Sequence, residues 1–240
     1  MRWSALIENP VTRSVLDFLF PPLCLGCGVF YDGDNLVCGR CEAGLAALAF
    51  EGTICAGCGA VMSASGRCPE CGPAFWPLFA FGDYRPPLKE IILQFKFKGI
   101  VAPADWIAAR LAPVVDRYRS EIEASALVPI PLHPRREHYR GYNQARVFAE
   151  ALGKRLGLPV ETELLARVRH RRPQARIDRR RREVNVHGVF ETADDDGPRL
   201  GGLILVDDVV TTGATIREAR RVLEASGHGV AGAAAMAHGV

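Results

Sequence analysis

Hydrophobic and polar positions follow two regimes that change near residue 75. Beyond it, short unbroken apolar runs are separated by stretches with an apolar residue every third or fourth position, the signature of buried parallel strands alternating with amphipathic helices. Runs at 75–84, 126–132, 160–165, 184–190, 203–206 and 230–237 predict strands. Helices are predicted over 87–98, closed by Gly99, over 104–119, over 143–156, and from the turn after Val210 to near Gly227. In the second of these, Trp106, Ile107, Leu111, Val114, Val115 and Tyr118 share one face and read as core. Asp194-Asp195-Asp196-Gly197 marks a turn after the fourth strand. The alternation implies an α/β fold built on a right-handed, mostly parallel sheet.

Before residue 75 the pattern dissolves, and cysteine takes over. At 240 residues and 48% hydrophobic, the chain can fill one core of ordinary size with a small satellite beside it. All 8 cysteines fall in four CxxC pairs, Cys24/Cys27, Cys38/Cys41, Cys55/Cys58 and Cys68/Cys71. The first ten residues mix Arg2, Glu8 and Asn9 with apolar side chains, unlike a secretory signal, and no stretch approaches a membrane span. A cytoplasmic location is therefore expected, where clustered CxxC pairs serve as metal ligands before disulfides. Each pair offers two thiolates on one turn, so two pairs complete a Cys₄ zinc site and four pairs imply two structural zinc ions. Three groupings of the pairs are open; the sequential one, Cys24/Cys27/Cys38/Cys41 and Cys55/Cys58/Cys68/Cys71, closes the shortest loops. Gly28, Gly59 and Gly72 follow the second cysteine of their pairs, where positive φ lets the backbone fold toward sulfur. A segment so poor in large apolar residues needs zinc to hold it together, and a nucleic-acid or protein contact on its surface is a second reading. The expected organisation is a lead-in at 1–20, a double zinc ribbon at 21–74 and an α/β domain at 75–240.

The densest chemistry lies at 203–215, where the run Leu203 to Val206 leads into Asp207, Asp208 and then Thr211, Thr212, Gly213, Ala214 and Thr215. The carboxylates are expected at the carboxyl end of a buried strand, where open α/β sheets bind ligands. Hydroxyls, a glycine turn and the unpaired N–H groups of a helix start suit a phosphate, and the carboxylates suit ribose hydroxyls or magnesium. The alternative is a surface turn with a threonine cap, which does not require these four features in this order. The segment resembles the signature of type I phosphoribosyltransferases. That resemblance implies binding of 5-phosphoribosyl-1-pyrophosphate, with Asp207 and Asp208 on the ribose hydroxyls and residues 211–215 around the 5′-phosphate.

Further segments widen the likeness: Phe95-Lys96-Phe97-Lys98-Gly99, Val128-Pro129-Ile130-Pro131-Leu132-His133, Arg140-Gly141-Tyr142-Asn143-Gln144, and Gln174, Arg182, Asn185, Val186, Gly188 and Phe190 in order. Together with the cysteine-rich front they resemble the ComF family of competence proteins, across residues 20–237. The resemblance implies a double zinc ribbon fused to a phosphoribosyltransferase-like domain and an association with DNA uptake and natural transformation. It puts Val128, Pro129, Ile130 and Pro131 in the place of the pyrophosphate loop. Prolines lack the N–H that such a loop offers, so binding there leans on His133, Arg135, Arg136 and Arg140, or the segment is only a rigid crossover. His133 and His138 are equally well read as solvated or hydrogen-bonding residues, and Lys96 and Lys98 as pocket cations or as the outer face of their helix.

Nine arginines lie between Arg167 and Arg182, although the formal net charge is only +3. They occupy the place of the mobile catalytic loop of type I enzymes, where Arg182 fits the family pattern as the cation for departing pyrophosphate. Arg179, Arg180 and Arg181 exceed that pattern and are candidates for single-stranded DNA, or for a solvated face. Two functions of different class follow. One is magnesium-assisted phosphoribosyl transfer, with Asp207, Asp208 and Arg182 as its catalytic residues. The other is a non-catalytic module holding single-stranded DNA and competence or DNA-processing proteins. No general base or base-binding hood is recognisable, so the acceptor is unassigned.

Overall fold

A computed structural model describes residues 23–31, 33, 35–50, 52–56, 58–60, 68–70, 76–168, 187–192 and 198–239. Five strands form the main sheet: β1 (Ile54–Cys55), β2 (Pro77–Ala80), β3 (Ala126–Pro129), β6 (Leu203–Val210) and β7 (Val230–His238), in the order β1-β2-β7-β6-β3. Only β1 runs antiparallel, to β2; the remaining pairs are parallel. The central strands β6 and β7 are buried on both faces, which is why their sequences show no alternation.

Helices cover both faces. Phe79, Leu127, Ile204, Val206, Ala234 and Met236 pack against α2 (Leu88–Phe97), α3 (Ala102–Tyr118) and α5 (Gln144–Leu156). Leu78, Val128, Leu203, Leu205, Ala233 and Ala235 face the other way, toward α6 (Ala214–Ala225) and a separate antiparallel hairpin, β4 (Leu165–Arg167) with β5 (Phe190–Thr192). The cysteine-rich region is built into this frame. Cys24, together with Cys41 and Leu45 from α1 (Gly39–Leu48), joins the first cluster, and β1 extends the main sheet with Ile54 opposite Leu78.

Several predicted elements differ in extent. The predicted strand at 160–165 is instead a single parallel bridge from Val160 to Leu127, and the chain becomes extended only at Leu165, where the hairpin starts. Val160 and Leu164 are apolar because they cover the sheet from a loop. The run at 184–190 contributes a strand only from Phe190 onward, and residues 184–186 and the turn at 194–197 lie outside the described ones. The run at 126–132 ends as a strand at Pro129, because neither Pro129 nor Pro131 can donate to a ladder. Two helices had no periodic signal: α1, whose few buried residues include a zinc-ligand candidate, and α4 (Pro134–Arg140), which buries nothing.

The hairpin is tied to α6 by one carboxylate. Glu218, buried on α6, accepts from the Gly188 N–H at 2.6 Å and from Arg221 through Nε at 2.9 Å and Nη2 at 2.9 Å, with His187 Nδ1 at 3.3 Å. Arg221 first, then the Gly188 N–H and His187, outweigh burial and hold this carboxyl at about 2. A depressed carboxyl stabilises the fold above its ordinary range near 4.5, and this contribution is lost as pH falls toward 2. Glu218→Gln should therefore cost about 2 kcal/mol at neutral pH. Urea unfolding of both proteins across a pH series should show the gap narrowing below the ordinary glutamate range; a gap independent of pH would contradict the clamp.

Candidate functional site

The carboxylate pair sits at a step in the sheet. The β3 ladder ends with Pro129 opposite Val206 and a last bond from the Ile130 N–H to the Val206 carbonyl at 2.8 Å. Strand β6 continues, with Asp207 opposite Ala235 on β7 and nothing of β3 on its other side. Asp207 and Asp208 thus lie within the strand, not beyond its end as expected from the sequence, and still clear the edge of its neighbour. The Asp208 N–H donates to Asp207 Oδ1 at 2.8 Å. Burial and the charge of Asp208 push the Asp207 carboxyl up to about 7, against the opposing pull of Lys96 and Arg167. Lys96 Nζ stands 2.9 Å from Asp208 Oδ1, with 16% and 15% of the two side chains exposed. An ammonium so far out of water is there for the carboxylates, which decides between the two readings left open for Lys96. Arg167, closing β4, rests on the Phe190 ring at 5.3 Å. Burial and then Arg136 lower its pKa while Asp207 raises it, so cations from two elements look onto one carboxylate.

The segment 211–215 follows at once. Gly213 is left-handed at φ 70°, and Arg217 Nη1 bonds the Thr212 carbonyl at 2.7 Å, fixing the turn from the helix behind it. As the N-cap of α6, Gly213 has no side chain with which to satisfy the first-turn N–H groups, although Thr212 Oγ1 accepts from Ala214 N–H at 3.4 Å. This leaves, beside the carboxylates, a helix start of the kind that suits an anion. The turn is also pressed against the cysteine region: a Cβ on Gly213 would stand 2.6 Å from the Ala56 carbonyl, between Cys55 and Cys58.

Opposite lies 128–131. Its prolines carry no N–H and that of Ile130 is committed to β6, leaving side chains from further on as the donors. Asn143 secures this loop: buried as the N-cap of α5, it accepts from Ala145 N–H at 3.0 Å and donates Nδ2 to the Ile130 carbonyl at 3.1 Å. Tyr142 donates its hydroxyl to the Phe95 carbonyl and packs on the Phe95 ring, joining the end of α2 to this junction. Arg140 bonds Gln144 Oε1 at 2.9 Å, and Gly141, left-handed at φ 82°, ends α4. His133 caps α4 through Nδ1 on the Arg135 N–H at 3.2 Å. The motif at 140–144 is therefore positioning machinery, which residue identities alone did not assign. Residues 169–186, with Gln174, Arg179, Arg180, Arg181, Arg182 and Asn185, lie outside the described residues.

The cysteines resolve into sequential groups. Cys24, Cys27, Cys38 and Cys41 place their Sγ atoms within 4.8 Å of one another, as do Cys55, Cys58 and Cys68, while Cys71 is outside the described residues. A tetrahedral Zn–S₄ site needs sulfurs about 3.8 Å apart. Cys27 and Cys38 are separated by 3.8 Å and Cys58 and Cys68 by 3.4 Å, so both sets fit zinc. Gly28 and Gly59 take φ 71° and 79°, as the turns at sulfur require. In the first set, burial of Cys24 is outweighed by the N–H groups of Cys38, Cys27 and Gly26, which hold its thiol at about 6, whereas burial and the neighbouring sulfurs push Cys41 up. A cation removes that conflict by ionising all four thiols. Elemental analysis of protein purified without added metal should give two zinc ions per chain. One ion or none, with disulfides under reducing conditions, would reject the assignment.

The family model for the double zinc ribbon domain matches residues 15–72. Competence protein F of Haemophilus influenzae is 28% identical over 220 residues, covering 85% of this chain and 91% of that protein. DNA utilization protein YhgH of Escherichia coli K12 is 30% identical over 197 residues, 79% of this chain and 86% of its own, and competence protein ComFC of Bacillus subtilis is 26% identical over 214 residues, 79% and 78%. Zinc ribbon, mixed α/β sheet and relatives matched over most of their length agree: the chain belongs to the ComF family of competence proteins.

Proposed function

We propose that this protein binds 5-phosphoribosyl-1-pyrophosphate with magnesium at the step between β3 and β6, and acts in the use of DNA by the cell. The observation that carries the pocket is the half-buried carboxylate pair beside a helix start whose N-cap, Gly213, has no side chain, with Lys96 paired to Asp208 and the charge of Arg167 felt at Asp207. Two adjacent carboxylates partly withdrawn from water are costly unless a ligand brings hydroxyl donors or cations to them. Asp207 and Asp208 accept from the ribose 2′ and 3′ hydroxyls, and the first-turn N–H groups of α6 with Thr211, Thr212 and Thr215 hold the 5′-phosphate. Arg167 and Arg136 are assigned to the diphosphate, and Arg182 is assigned to it from the family pattern alone. Magnesium supplies the charge that lets two carboxylates and a diphosphate share one pocket. In the transfer reading, the C1–O bond breaks with its electrons leaving on diphosphate, and C1 bonds to the acceptor, which gives up a proton.

A second reading, binding without turnover, is favoured by one feature: the backbone of 128–131 offers the diphosphate no free N–H at Pro129, Ile130 or Pro131. Pyrophosphate release in the presence of nucleobases separates the two. The DNA half of the proposal is supported by the relatives, whose names are competence protein and DNA utilization protein. Single-stranded DNA and DNA-processing proteins are the partners we assign, with Arg179, Arg180 and Arg181 as cations for the strand.

Asp207→Asn combined with Asp208→Asn should abolish magnesium-dependent binding of phosphoribosyl pyrophosphate in calorimetric titration while cooperative thermal unfolding is retained. Equal affinity in wild type and double variant would remove the pocket from consideration.

A further inference from the structure

The helix α4 is an oddity in a compact fold: Pro-Arg-Arg-Glu-His-Tyr-Arg, with no buried residue, held by caps at both ends. Tyr139 on it is 85% exposed, and Phe97 at the end of α2 is 61% exposed. The two helices meet through Arg140, whose guanidinium lies 5.1 Å from the Phe97 ring centre and is fixed on its other side by Gln144 Oε1 at 2.9 Å. Behind them the Tyr142 hydroxyl bonds the Phe95 carbonyl, so the surface is set in advance. The patch is also cationic, with Glu137 the one acidic residue of α4. Arg110, Arg119, Arg146, Arg155, Arg220 and Arg221 each pair with a carboxylate. Among the described residues, no such ion pair involves Lys98, Arg135, Arg136 or Arg140.

Two exposed aromatic faces among cations without carboxylate partners match a strand that offers bases for stacking and phosphates for charge. A protein partner would be met by larger apolar area, and a purely ionic one would leave the rings without a role. We infer that Phe97 and Tyr139, flanked by Lys98, Arg135, Arg136 and Arg140, form a stacking platform for single-stranded nucleic acid. It lies on the rim of the carboxylate pocket, since Lys96, one residue before Phe97, touches Asp208. The inference rests on the DNA half of the function proposed above and does not require the sugar-phosphate pocket.

The test is an anisotropy titration of the full chain with labelled oligothymidine and with an abasic strand of equal length, over a salt series. Phe97→Ala with Tyr139→Ala should weaken oligothymidine about tenfold or more and leave the salt slope intact, because stacking disappears while the cations still neutralise phosphates. The abasic strand should bind wild type and variant alike. Arg135→Ala with Arg136→Ala should flatten the slope by roughly 0.7 for each phosphate no longer neutralised. Neither variant alters a buried side chain, and retained melting temperature confirms their fold. Wild-type affinity for oligothymidine in the aromatic variant would overturn the platform, as would an equal loss on both strands, or a change in sedimentation alone, which would make the patch a contact between copies. Wild type binding neither strand would overturn the DNA reading as well, whereas unchanged sugar-pyrophosphate affinity in the aromatic variant keeps the two sites separate.

Discussion

Two carboxylates on consecutive residues of a buried strand repel each other and resist losing water, and much of this protein is arranged around that cost. Asp207 is driven up to about 7 by burial and by Asp208, even though Lys96 stands within ion-pair distance of its neighbour and Arg167 opposes the shift. Each cation arrives on a different element, Lys96 on α2 and Arg167 on the hairpin. The site gathers cations and an open helix start around this pair, the arrangement on which the proposed pocket rests.

The other conspicuous features brace this point. Asn143 ties the loop at 128–131 to α5, Tyr142 ties α2 to the same junction, and Glu218 ties the hairpin to the helix that begins at the phosphate-type turn. The cysteine region participates as well. Its strand β1 joins the main sheet, and the Ala56 carbonyl, inside the third CxxC turn, presses on Gly213. Zinc that stiffens this turn therefore also stiffens the wall of the pocket, which gives the ribbon a bearing on the site beyond holding its own chain together.

How much of this was legible in the sequence depended on whether the signal was local. The buried run before Asp207, the CxxC pairs and the amphipathic stripes of α3 and α5 are each contained in one segment, and the fold reproduces them. The sequential cysteine groups followed from loop length alone. What escaped were matters of partnership: a strand extending past its neighbour, Lys96 meeting Asp208 across more than a hundred residues, and Glu218 accepting from Gly188. The spacing of Glu218 and Arg221 marks a helical pair, but nothing in it points to the hairpin. Helix α4 escaped because it buries no residue, so it leaves no periodicity. The run at 160–165 misled because covering a sheet edge and forming a strand both demand apolar residues.

The pocket at the step between β3 and β6 is the central claim, and hydrogen–deuterium exchange of the zinc-loaded chain with and without magnesium and phosphoribosyl pyrophosphate tests it directly. The amides from Asp208 through Ile216 should be protected on addition of the ligand, and this protection should vanish when both aspartates are replaced by asparagine. Protection confined to other segments, or persisting in that variant, would contradict the account.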